Sequence, residues 1–291
     1  MQGDLNSSHL GIRGERAREA IDSLGGYAYQ LYQSAIAWGE LEEDGILLLE
    51  VAEDYATCIE DALKAVQVKR TSSSITSNSK SVCQAIDSLL ELQRTNPKLD
   101  VSLRYLTTSA IGRETKIEDR VGSIATLNYW QALSSSEGIP ALRERLMAMQ
   151  LSDDSKASIA AWSDEELYER LVKKLEFDCG EPGIDGVRQK LQDLLVIAGD
   201  KKGLYAEESE KALPRILERV LLVCSSHGRR ELKRADFIRI FEAELTTQVP
   251  NALIRDLSKN SLKQLTGDQD VSIVSHENVL EPLFEGAQPS P

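Results

Sequence analysis

Eight side chains in two short stretches are spaced as chemistry would need them. The first stretch is Glu50-Val51-Ala52-Glu53-Asp54, and the second, after twelve intervening residues, is Gln67-Val68-Lys69. Residues two apart on a β-strand share a face, so Gln67 and Lys69 point one way while Val66 and Val68 enter the opposite layer. A lysine at a strand end among apolar neighbours needs a reason. If the segments ending at Asp54 and at Lys69 form a hairpin, a carboxylate oxygen, an amide oxygen and an ammonium surround one small volume. Hard divalent cations such as Mg²⁺ or Mn²⁺ take oxygen ligands and keep several waters, so one carboxylate, one carbonyl-type oxygen and a substrate phosphate suffice. Such a cation would stabilise phosphoryl charge and help generate hydroxide. The Lys69 ammonium would orient the attacking water or neutralise the phosphorane. In outline this is a phosphodiesterase site. The competing reading is a solvated acidic turn, with Lys69 snorkelling to water or pairing with Glu50.

Those residues must be positioned by their elements. Between Arg18 and Trp38 apolar residues recur every three or four positions, an amphipathic helix that Gly25 and Gly26 are expected to interrupt. The run Ile46 to Ala52 reads as a buried strand and Ala62 to Lys69 as a second. Residues 71–79, seven of nine Ser or Thr, read as a loop. Residues 80–95 are helical up to Asn96-Pro97, and Val101 to Thr108 alternates as a third strand. After about residue 135 strand signals fade. The Ser163-x-x-Glu166 capping box opens a helix bearing Leu167, Leu171, Val172 and Leu175, and three more helices follow from Gly183, around Leu213 and after Arg234. The expected organisation is a flexible arm (1–17), an α/β domain (18–135), a helical domain (140–245) and a linker or tail (246–291).

Composition excludes several classes. No apolar run reaches the roughly 20 residues that span a bilayer, and the first residues lack a signal-peptide core, so no membrane partner and a cytoplasmic location are expected. Cys58, Cys83, Cys179 and Cys224 are too scattered for a zinc site or a disulfide framework and read as reduced, buried thiols. His9, His227 and His276 have no ligand spacing, which leaves carboxylates, amides and lysine to do any chemistry. Trp38, Trp130 and Trp162 read as core. The net charge of −13 disfavours a dedicated non-specific DNA binder. The charge is uneven, however. Residues 40–61 hold nine acids and no Lys or Arg, whereas 64–120 hold ten basic residues against six acidic. An acidic pocket beside a mildly basic surface suits a metal enzyme that binds DNA weakly alone, with oligomers multiplying the contacts. Arg229, Arg230, Lys233 and Arg234 read as a solvated helix face, with contact to nucleic acid or a partner as the alternative.

With these segments in view, the chain resembles the PD-(D/E)xK nuclease superfamily in its Mrr-like form, where Gln replaces the second acid. GGYAYQ (25–30), LLLEVAED (47–54), VQVK (66–69) and YLTTS (105–109), continued by LxxADF (232–237), look like the endonuclease effector domain that CBASS anti-phage systems fuse to a SAVED sensor. Similar domains stand at the N-terminus of STAND NTPases and beside HerA-type ATPases. The resemblance covers roughly residues 15–245. It implies a restriction-endonuclease-like α/β core, a mixed sheet flanked by helices, followed by an all-α domain. It further implies Asp54 as principal metal ligand, Gln67 as second ligand, Lys69 as catalytic lysine, and Gln30 where relatives carry a helix-borne Glu, orienting a ligand or a water. Glu50 and Glu53 are auxiliary ligands on this reading. The expected function is a Mg²⁺-dependent (or Mn²⁺-dependent) endodeoxyribonuclease acting on double-stranded DNA as a defence effector. Oligomerisation, or an ATPase or sensor in trans or C-terminal in a longer parent chain, would activate it. The alternative is a non-catalytic interaction or oligomerisation module with a degenerate nuclease site, motivated by the acidic charge, the Gln in place of an acid, and the large helical region.

Overall fold

The computed structural model describes residues 21–71 and 73–246; the expected arm (1–17) and tail (from 247) lie outside them. The helices are α1 (Ile21–Glu40), α2 (Lys80–Thr95), α3 (Thr126–Ala132), α4 (Ile139–Ala148), α5 (Asp153–Ala161), α6 (Asp164–Leu167), α7 (Ile184–Asp200), α8 (Ala206–Ser209), α9 (Leu213–Cys224) and α10 (Arg234–Thr246). The strands are β1 (Ile46–Leu49), β2 (Tyr55–Ile59), β3 (Ala62–Lys69), β4 (Asp100–Thr107), β5 (Leu175–Cys179) and β6 (Glu231–Lys233). They form one mixed sheet in the order β5-β4-β3-β2-β1-β6, with β3, β4 and β5 mutually parallel and the remaining pairs antiparallel. The mixed sheet flanked by helices is the α/β architecture expected from the sequence.

Strand alternation divides the core in two. On one face Leu63, Ala65, Leu103 and Tyr105 pack with Ile86 and Leu89 of α2, Leu142 of α4 and Ile159 of α5. On the other, Leu47, Leu49, Tyr55, Val66, Val68 and Leu106 pack beneath Tyr29 and Trp38 of α1, Leu191 of α7, Val220 of α9 and Phe237 of α10. At about 25 cal/mol per Å² of buried apolar surface, these two layers carry most of the favourable free energy of folding. Trp38 sets its ring edge-on to Phe237 at 5.4 Å and donates its indole N–H to the Lys233 carbonyl at 2.8 Å, tying α1 to the β6–α10 junction.

Several expectations need correction. Gly25 and Gly26 do not interrupt α1, which is continuous because its buried face holds it across the weak positions. The two site-bearing strands are not neighbours: β2 intervenes, a strand with little apolar alternation. The Ser163–Glu166 capping box forms, but its helix is one turn followed by a π-helical turn (Tyr168–Val172), and Leu175 lies on β5. Residues 140–245 are not a separate helical domain: β5 and β6 pair with β4 and β1, and the described residues up to Leu245 form one compact unit.

Candidate active site at the end of strands β2 and β3

Antiparallel pairing of β2 with β3 ends with Tyr55 opposite Val66, and an isolated parallel bridge then sets Glu53 beside Val66. The ladder ends there, so the Val68 N–H has lost its strand partner. The Asp54 side chain replaces it: Oδ2 accepts from Val68 N at 2.6 Å, and Oδ1 accepts from Gln30 Nε2 of α1 at 2.6 Å. Burial pushes the Asp54 carboxyl up; the Val68 N–H, the Lys69 charge and the Gln30 amide pull it back down, and Glu53 adds to the rise. A half-buried carboxylate held in this way behaves as a fixed, oriented oxygen donor.

Gln67 lies on the other side of β3. Its Nε2 donates to Glu53 Oε2 at 2.9 Å, while its Oε1, buried, has no hydrogen-bond partner. Leaving such an acceptor unmet costs about 1–3 kcal/mol, so the position asks for a donor or a cation. Glu50 and Glu53 both have positive φ, 54° and 64°, a conformation that costs a residue with a Cβ roughly 1–2 kcal/mol. The tight Glu50–Asp54 loop therefore carries backbone strain beside the site. Its start is clamped from the far end of the chain: Arg230 donates to the Glu50 carbonyl at 2.7 Å, and the Arg230 carbonyl accepts from Leu49 N at 3.0 Å. Burial raises the Glu50 carboxyl, Asp54 adds to the rise, and Arg230 and Lys69 oppose it.

Asp54, Gln30, Gln67 and Glu53 are thus linked by direct hydrogen bonds or adjacency, and Lys69 and Glu50 lie within electrostatic reach of Asp54. Among the described residues no three His, Cys, Asp or Glu side chains are arranged to hold a metal ion. The donors present nevertheless suit a hard divalent cation, because the unpartnered Gln67 oxygen is of the required kind and its own amide is bonded to the Glu53 carboxylate. Two contributors escaped the sequence reading. The Val68 N–H is a backbone group with no sequence signature. Arg230 was read with a solvated helix face, yet it stands in the turn before β6 and reaches Glu50. Of its companions, Lys233 offers its carbonyl to Trp38 and Arg234 lies over the Phe237 ring at 5.6 Å.

The four cysteines are free; Cys83 alone is buried, whereas Cys58, Cys179 and Cys224 are half-buried. Trp38 and Trp130 are core residues and Trp162 is half-buried under the Arg170 guanidinium. Among the described residues no helix is long and apolar enough to cross a membrane.

The sequence matches no known family model, and no curated protein matches it. Solved structures similar to it include three of the Acinetobacter baumannii Cap4 SAVED/CARF-domain containing receptor. With the cyclic trinucleotide 3'3'3'-cAAA, that receptor aligns at 14% identity and a TM-score of 0.49, over 76% of this chain and 44% of the receptor. Without it the values are 14%, 0.45, 76% and 46%. With 2'3'3'-cAAA they are 15%, 0.46, 80% and 47%. This chain spans less than half the length of these receptors.

Proposed function

We propose that this protein is a divalent-metal-dependent DNA endonuclease serving as an effector in prokaryotic anti-phage defence. The observation that carries the reading is the buried, unpartnered oxygen of Gln67, whose amide nitrogen is held by Glu53, the chain neighbour of Asp54. The four matching sequence segments support the nuclease chemistry and the defence setting. Asp54 and Gln67 would hold Mg²⁺ or Mn²⁺, with Glu50 and Glu53 as auxiliary ligands. When bound, the cation would polarise the scissile phosphate and acidify a water. The chain's own groups do the rest. Gln30 and the Val68 N–H fix the direction of the Asp54 carboxylate, Glu53 holds the Gln67 amide, and the Lys69 ammonium stabilises charge developing on the phosphoryl oxygens or orients the water. Activation by oligomerisation, or by an ATPase or sensor partner, is part of the proposal.

The test is incubation of the purified chain with linear and supercoiled double-stranded DNA, with and without Mg²⁺ and in oligomeric and monomeric fractions. Asp54→Asn and Lys69→Ala should each lower the cleavage rate by about 10²-fold or more, the usual loss for one electrostatic group at a reacting centre. Undiminished cleavage in either variant overturns the assignment.

One observation favours a second reading, a non-catalytic interaction module: both Asp54 oxygens already accept N–H donors, so the carboxylate is satisfied without a metal. Mn²⁺ titration calorimetry separates the two. Heat that disappears in Asp54→Asn supports the nuclease, and the absence of site-dependent heat supports the module.

A further inference from the structure

Arg70, the residue after Lys69, lies against α1 at Gly25. A Cβ on Gly25 would fall 2.3 Å from the Arg70 Nη1 and 3.2 Å from its Cζ, so the guanidinium lies against bare helix backbone and a side chain there would push it aside. Neither Gly25 nor Gly26 has the positive φ that usually explains a glycine. Both sit inside a continuous helix, where glycine is the poorest former after proline. At Gly25 the nearest atoms a Cβ would meet are those of the Arg70 guanidinium. At Gly26 an added Cβ would meet nothing within 4 Å, so packing against the described residues gives no reason for its absence. Gly26 lies one helical turn before Gln30, on the same face, and Gln30 holds Asp54. Gly25, under the Arg70 guanidinium, and Gly26, one turn before the Gln30 that holds Asp54, are adjacent on α1. Arg70 is exposed and has no hydrogen bond or ion pair among the described residues, and it belongs to a chain of net charge −13, where each cation near the site counts.

We propose that Arg70 is a substrate-positioning residue that grips a phosphate of double-stranded DNA next to the scissile one, with the strand lying close against the helix backbone at Gly26. A guanidinium fork suits a phosphate better than an ammonium does, and a glycine lets the sugar–phosphate chain approach where a side chain would stand. The proposal deepens the endonuclease reading and rests on it for the substrate class, but it is testable by binding alone.

The experiment measures affinity for a fluorescent DNA duplex by anisotropy in EDTA across a salt series, with melting temperatures of every variant alongside. Arg70→Ala should weaken binding about tenfold to a hundredfold, the worth of one charge-assisted contact, and reduce the slope of log affinity against log salt by about 0.9, the signature of one lost phosphate. Arg70→Lys should keep the slope while recovering part of the affinity. Gly26→Met should weaken binding at least tenfold without lowering the melting temperature, because it fills open space on a helix. A purely structural role for Arg70 would leave the salt slope unchanged. Wild-type affinity and slope in Arg70→Ala, full binding by Gly26→Met, or no binding by the wild-type chain each overturn the proposal. If binding depends on Arg70 but Mg²⁺ elicits no cleavage, the endonuclease reading falls and the phosphate contact stands.

Discussion

At the scale of single residues, the site turns on which polar groups are satisfied and which are not. Asp54 is met twice, by Gln30 and by Val68, while Gln67 is met on its nitrogen and not on its oxygen. This asymmetry leads to a prediction at position 67. Gln67→Glu would bring a carboxylate against Glu53, so without metal it should destabilise the fold by about 1–3 kcal/mol, the cost of a lost buried hydrogen bond plus like-charge contact. Added Mn²⁺ should restore the melting temperature if the two oxygens share a cation. Gln67→Leu should instead abolish the Mn²⁺ response. A Gln67→Glu variant whose stability ignores Mn²⁺ would remove position 67 from the proposed metal site. Much of this was legible from residue types alone: a carboxylate, an amide and a lysine at matching strand ends define the chemistry. Which oxygen goes unmet was not, because it depends on Glu53 turning back onto Gln67 through a left-handed backbone that nothing in its residue type foretells.

At the scale of elements, the Glu50–Asp54 loop is held between a strained backbone and a clamp from β6. Glu50→Gly relieves a φ of 54° that costs a non-glycine residue about 1 kcal/mol, so it should leave thermal stability unchanged or raised, as calorimetry would record. Arg230→Gln removes the hydrogen bond to the Glu50 carbonyl while leaving the β1–β6 pairing to Leu232 in place. It should cost about 1–2 kcal/mol and speed amide exchange in the 50–54 loop more than in β3, which hydrogen-exchange mass spectrometry can resolve. Equal exchange in both segments would show that the clamp does not order the loop. The eight-residue strands β3 and β4 and the long helices α2 and α7 were readable because eight or more residues carry enough apolar positions to show a pattern, although β3 loses its alternation where Ala65 to Val68 are all buried. β2, β5 and β6, of five, five and three residues, are too short to show a period, and their strand state comes from the neighbours with which they pair.

At the scale of the whole molecule, residues after 135 complete the sheet at both edges and cover the face that carries α1. A chain ending at residue 135 would expose the β4 edge where β5 pairs, and uncover Leu47, Leu49, Val66 and Val68 where α7, α9 and α10 pack. It should show no cooperative thermal transition by circular dichroism; a sharp one would mean that residues 18–135 fold as a domain of their own. The amino-acid sequence by itself determined the kinds of atoms available for chemistry, the acidic stretch that surrounds them and the helices and strands with a long period, since those properties are local and need no neighbour. Only the tertiary structure decided that β2 separates the two site strands, that Arg230 reaches across 180 positions to Glu50, and that residues 140–245 belong to the same core. These are outcomes of strand pairing and shared burial between distant segments, and such long-range choices are settled by the free energy of the assembled layers rather than by any one segment's composition.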